Sequence, residues 1–147
     1  MLVVGLAVVV LSFAQAATPQ TTGRITVDGM SAEVTVARDA SGVPHLTGST
    51  LEDLARAQGF VHAQDRFFDM DLRRHIASGR LSELVGKSGL PADRVVRTLG
   101  WHQVAEQSVP LLAPETRRVL QAYSEGVNAY LESRSRNRLS LEYAVLG

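Results

Sequence analysis

Cysteine is absent from the chain, which removes disulfides, thiolate metal sites, a cysteine nucleophile and thiol redox switching together. Net charge is absent too, because fifteen Lys and Arg balance fifteen Asp and Glu. No positive field is available to gather nucleic-acid phosphates or an anionic membrane surface, so nucleic acid is set aside as a partner. Also missing are an internal repeat or low-complexity tract and a Gly-x-Ser-x-Gly elbow of the kind that exposes a serine nucleophile. What remains is a globular composition, 45% hydrophobic and 20% charged over 147 residues. That suits one folded domain of ordinary size.

The first residues indicate a compartment. Leu2-Val3-Val4-Gly5-Leu6-Ala7-Val8-Val9-Val10-Leu11 is an apolar run, well short of the roughly 20 residues that a spanning helix needs. Ala14-Gln15-Ala16 follows as a small-x-small cleavage pattern, so residues 1–16 read as a signal peptide and the mature chain as periplasmic or secreted, with no stable membrane anchor. Residues 17–23 read as a flexible leader, and the folded segment as residues 24–147.

Ile25-Thr26-Val27 and Glu33-Val34-Thr35-Val36 alternate with β-branched residues around Asp28-Gly29, which predicts a β-hairpin. Val43-Pro44-His45-Leu46-Thr47, after the turn cluster Arg38-Asp39-Ala40-Ser41-Gly42, predicts a further strand. Ser49-Thr50-Leu51-Glu52 matches a capping box and predicts a helix start. That helix should end near Ser78-Gly79, with Gly59 marking either a weak point or a close backbone approach. A short helical piece over residues 80–85 and a Gly-bounded loop come next. A helix over about residues 92–108 follows, which Gly100 divides. From Pro114 the strongest periodicity places Val119, Leu120, Tyr123, Val127, Tyr130 and Leu131 on one buried face. The segment from Leu139 to Gly147 is apolar and stops without a polar finish, as a truncated piece would.

Candidate chemistry is thin. His45, His62, His75 and His102 lack the i, i+4 spacing of a zinc helix. His62, Asp65 and Arg66 form an acid/base set or, more simply, a salt bridge along a helix side. Gly86-Lys87-Ser88 ends like a phosphate loop but lacks the upstream glycine, and it is assigned to a connection. Phe67, Phe68, Trp101, Tyr123 and Tyr130 either line an apolar pocket or fill a core. No catalytic, cofactor-binding or metal residue is assigned on this chain.

Val36-Ala37-Arg38-Asp39-Ala40-Ser41-Gly42-Val43-Pro44-His45-Leu46 resembles the strand-turn-strand opening of penicillin acylases. Gly59-Phe60-Val61-His62-Ala63-Gln64-Asp65-Arg66-Phe67-Phe68-Asp69-Met70 is similar to the family's Gly-aromatic-x-x-Ala-Gln-Asp-Arg-x-x-x-Met block. Arg73-Arg74, Gly79-Arg80-Leu81-Ser82-Glu83-Leu84-Val85-Gly86, Asp93-Arg94 with Arg97, and Ala122-Tyr123-Ser124-Glu125-Gly126-Val127-Asn128-Ala129-Tyr130 follow in the family's order.

The resemblance implies an α+β fold: a short N-terminal β-hairpin, then a mainly helical α-chain segment, an incomplete part of the αββα fold of N-terminal-nucleophile hydrolases. It implies a secreted precursor that cleaves itself, leaving this segment in the α-chain and the nucleophile on a β-chain partner. The implied reaction is hydrolysis of linear N-acyl amides, such as penicillins or N-acyl homoserine lactones. Calcium is implied for the full-length enzyme, with no ligand in this segment. On this reading Gly42, Pro44 and Gly59 shape the backbone, while Asp65, Arg66, Arg73 and Arg74 pair around the helices. The alternative is a non-catalytic exported fragment or binding module derived from an acylase.

Overall fold

A computed structural model describes residues 22–140 and 142–143. The proposed signal peptide, most of the leader and most of the terminal apolar segment lie outside those residues. The described residues fall into two compact units, one within Met1–Phe67 and Val119–Gly147, the other within Phe68–Arg118. The described residues are mostly helical, with one two-stranded antiparallel sheet among them.

In the first unit, β1 (Thr35–Arg38) pairs with β2 (Pro44–Thr47), with Val36 opposite Leu46. The hairpin therefore turns at residues 39–43 and not at Asp28-Gly29, and residues 25–27 form no strand. Asp39 closes the true turn: its Oδ1 accepts from the amides of Ser41 at 2.8 Å and Val43 at 3.0 Å, as a short acidic side chain does well. The earlier segment is diverted because the Ser31 amide donates to the Asp53 carboxylate at 2.9 Å. An amide spent on a helix terminus is lost to a strand ladder.

Helix α1 (Leu51–Ala77) opens one residue later than the capping box predicted. Thr50 Oγ1 accepts from the Asp53 amide at 3.1 Å and donates to the Asp53 carboxylate at 2.8 Å. Thr50, rather than Ser49, thus caps the helix, and Asp53, rather than Glu52, answers it through the Thr50 hydroxyl instead of the Thr50 backbone amide. Buried Asp53 also receives the Ser31 hydroxyl. The hydrogen bonds from the Ser31 hydroxyl and amide, then from Thr50, hold its carboxyl at a pKa of about 2, against the opposing push of burial.

A carboxyl lowered on folding stabilises the fold above its unfolded pKa, about 4, and that contribution is lost as pH falls toward the folded value. We expect the urea midpoint to drop between about pH 4 and pH 2 and Asp53→Asn to flatten that part of the profile. An equally steep profile in the variant would assign the acid sensitivity elsewhere.

Helix α5 (Pro114–Glu132) buries Ala122, Gly126 and Tyr130, three residues spaced i, i+4, i+8. The predicted stripe is rotated, leaving Leu120 half exposed and Val119, Tyr123 and Val127 only partly covered. The cause is how closely the two helices approach. A Cβ at Gly59 would come closer than 3.0 Å to the Tyr123 carbonyl oxygen, and one at Gly126 equally close to that of Arg56. Each glycine thus lies against the other helix's backbone. Beyond the crossing, the Phe60 ring meets Tyr130 edge-on at 5.5 Å, and Ala63 completes the core.

In the second unit, the C-terminal part of α1 leads to α2 (Ser82–Val85), a 3-10 turn (Gly86–Gly89), α3 (Leu90–Leu99) and α4 (Trp101–Ser108). The predicted division at Gly100 is present: that residue adopts φ 68° and ψ 19°, the left-handed helix ending that glycine reaches without strain. Buried Asp93 reaches back from α3 and accepts the amides of Leu81 at 2.7 Å and Ser82 at 2.9 Å, which caps α2. Burial pushes its carboxyl up, but the bonds from Ser82 and Leu81 outweigh that and lower it overall.

Candidate functional site

The motif residues at residues 38–45 and 62–66 meet on the first unit. Arg38 at the end of β1 grips Asp65 of α1 with both guanidinium nitrogens, at 2.9 and 2.7 Å. The same guanidinium donates to the Gly42 carbonyl at 3.0 Å and to Gln64 Oε1 at 3.3 Å. One side chain thus ties the hairpin turn to the helix by the planar two-pronged geometry that arginine alone offers a carboxylate. Within the hairpin, His45 Nε2 stands 3.1 Å from Asp39. That hydrogen bond, then the bond from the Val43 amide, lowers the Asp39 carboxyl.

Asp65 therefore answers to Arg38, not to the neighbouring Arg66 that the sequence reading paired with it. Arg66 breaks the helical dihedrals at φ −154° and ψ 37°, and its guanidinium comes 3.5 Å from His62 Nδ1. His62 Nδ1 is also 3.1 Å from the Tyr123 hydroxyl, with the rings edge-on at 5.8 Å. Burial first, then the Arg66 charge, lowers the His62 pKa, with Asp65 acting in the opposite direction. A neutral imidazole held by a tyrosine hydroxyl is a proton acceptor in principle. The contacts of its Nδ1, the Tyr123 hydroxyl and the Arg66 guanidinium, include no carboxylate to orient it as in a triad.

The other expected pairs are local. Arg73 bonds Asp69 at 3.0 Å and Arg74 bonds Asp71 at 2.7 Å, within α1. His75 stands 3.3 Å from Asp71 and 3.6 Å from Glu83, and His102 lies 3.3 Å from Glu106. His45 and His62 belong to the first unit and His75 and His102 to the second. Among the described residues, no three of His, Asp and Glu are grouped to hold a metal ion.

Gly86-Lys87-Ser88 sits in the 3-10 turn, where Ser88 Oγ donates to the Val85 carbonyl at 2.9 Å. Tyr130 is core, Phe67 stacks near Tyr143 at 6.0 Å, and Trp101 is 57% exposed. A cleft of about 510 Å³ lies along residues 22–38 and α1, lined by Ile25, Val27, Phe60, Val61, Ser31 and Arg38 among others. Its Ser31 and Arg38 are each already committed to a carboxylate.

Sequence reasoning missed three partners. Arg56 of α1 pairs with Glu125 of α5 and stands 3.7 Å from Asp53. Asp53 holds Ser31, and Asp93 holds the start of α2. The Thr50-x-x-Asp53 spacing was a visible signal for the cap. Nothing local announces the Arg56 or Asp93 pairings, which span 69 and 12 residues.

The penicillin amidase family model matches residues 33–147. The chain belongs to that family. Among penicillin amidase relatives, penicillin acylase 2 proenzyme of Pseudomonas sp. is 44% identical over 133 residues, covering 90% of this chain and 17% of that protein. An acyl-homoserine lactone acylase of Pseudomonas aeruginosa is 38% identical over 88% of this chain and 15% of its own length. The solved structure of a thermostable penicillin G acylase from Alcaligenes faecalis superposes with a TM-score of 0.69 at 31% identity, covering 78% of this chain and 62% of that one. The chain thus spans less than one fifth of the length of these curated relatives.

Proposed function

We propose that these 147 residues are the amino-terminal part of the α-subunit of a secreted penicillin amidase that hydrolyses linear N-acyl amides. Its substrates would be penicillins or N-acyl homoserine lactones. The observation that carries this reading is the 44% identity to a proenzyme of which the chain covers only 17%. Residues 1–16 would direct export, and cleavage of the precursor would create the β-chain terminus.

The chemistry calls for such a terminus. A hydroxyl is a weak nucleophile at neutral pH, and a free α-amino group, with a pKa near about 8, serves as its base. Only a chain-terminal Ser, Thr or Cys carries both groups on one residue. Backbone and side-chain amides then stabilise the oxyanion by about 3 to 4 kcal/mol per donor. The residues of this chain act at a distance: the Arg38–Asp65 grip and the glycine crossing set the shape of an accessory segment.

Sequencing the coding DNA downstream of codon 147 and expressing the full open frame provides the test. We expect a precursor that splits in two and releases the acyl group from penicillin G or an N-acyl homoserine lactone, while the 147-residue chain alone releases none. A full frame that produces no amide hydrolysis would sink the enzyme reading and leave a non-catalytic exported module.

A further inference from the structure

Arg66 is the residue of α1 whose dihedrals leave the helix, at φ −154° and ψ 37°. Neither Pro nor Gly, the common causes of a kink, stands within a turn of it. Its side chain instead reaches back one turn, where its guanidinium stands 3.5 Å from His62 Nδ1. The Tyr123 hydroxyl of α5 meets the same nitrogen at 3.1 Å, with the two rings edge-on. A guanidinium can only donate hydrogen bonds, so this contact requires a lone pair on Nδ1 and places the imidazole proton on Nε2.

We infer that His62 is a proton-operated catch on the α1 kink: the neutral imidazole holds the Arg66 side chain, and the imidazolium expels it. Protonation puts a hydrogen on Nδ1 and a positive charge beside the guanidinium, and Arg66 can answer neither. Tyr123 can, because a phenol hydroxyl turns from donor to acceptor. The remaining charged neighbour, Asp65, favours the imidazolium, but Arg38 of the hairpin engages both of its oxygens. Burial first, then the Arg66 charge, lowers the His62 pKa. Folding therefore favours the neutral form, a contribution complete above the unfolded value of about 6.5 and lost as pH falls toward the folded one. His62, Arg66 and Tyr123 all lie within the first unit, and the catch requires no assumption about the proposed activity.

Hydrogen exchange of peptides covering residues 66–70, in the full-length protein, tests the catch. Labelling at about pH 7.5 and about pH 4.5, either side of the ordinary histidine value, is timed to offset the intrinsic pH dependence of exchange. We expect these amides to exchange at least about fivefold faster at the lower pH, while peptides from α3 do not respond. His62→Asn should abolish the response, because its amide oxygen accepts where Nδ1 does and does not titrate. Arg66→Gln, which removes the opposing charge, should also lose it and decides the question if His62→Asn does not fold. No acid response in the parent, or an undiminished response in a folded variant, would overturn the catch. A response shared equally by α3 would report general loosening and overturn it as well.

Discussion

Gly126→Ala should be the most damaging single methyl in the described chain, with Gly59→Ala close behind. Alanine ordinarily favours a helix over glycine by about 1 kcal/mol, so helix propensity alone would predict stabilisation. The crossing reverses the sign. Each added Cβ would meet a carbonyl oxygen of the opposite helix closer than 3.0 Å, with further backbone atoms near 3 Å behind it. Backbone cannot rotate away as a side-chain tip can, so α1 and α5 must separate, and the Phe60–Tyr130 contact beyond the crossing loosens with them. Overpacking costs about 1 to 3 kcal/mol where side chains yield, and the cost here should exceed about 3 kcal/mol. Thermal unfolding of the precursor checks it, with Ser124→Ala on the exposed side of α5 as the control, expected within about 0.5 kcal/mol of the parent. A Gly126→Ala protein as stable as the parent would mean that the helices do not touch at this point.

Loss of the Arg38–Asp65 grip should come second. The two side chains are only 19% and 27% exposed, so the pair is less screened than a surface ion pair, and two of the Arg38 hydrogen bonds vanish with the carboxylate. Bonds to a charged group are worth about 1.5 to 3 kcal/mol, and Asp65→Ala should cost roughly 2 kcal/mol. Arg38→Lys should recover little of this, because an ammonium cannot span both carboxylate oxygens while also reaching the Gly42 carbonyl. A double-mutant cycle with Arg38→Ala isolates the pair term. Full stability in the lysine variant would show that simple charge, not the planar fork, holds the hairpin.

The elements most legible in the sequence were those whose signal is local. Pro114 and the periodicity after it marked α5, and Gly100 divided α3 from α4. Asp39 and Gly42 closed a turn of the residue types that turns favour. The hairpin was misplaced because two turn signals competed: Asp28-Gly29 scores as well as the true turn until Ser31 is seen bound to Asp53, 22 residues away. The cap slipped by one residue because Ser49-Glu52 and Thr50-Asp53 satisfy the same pattern, and Ser31 provides a further partner only to the second.

The candidate site divides the same way. The motif blocks at residues 36–46 and 59–70 were readable as strings, and the family match over residues 33–147 agrees with them. That Arg38 of one block holds Asp65 of the other was not readable, because a carboxylate's partner is chosen by distance in space. The neighbouring Arg66 was the nearer choice along the chain but turns toward His62.

By itself the sequence determined the helical segments, the turn chemistry, the absence of thiol chemistry and the family, since each depends on residue type at short spacing. Only the tertiary structure decided that α5 buries Ala122 and Gly126 together with Tyr130 while Leu120 stays half exposed, and that Asp53 and Asp93 are anchors. Those outcomes depend on how closely two backbones approach, and steric exclusion between distant segments leaves no periodic mark along a single chain.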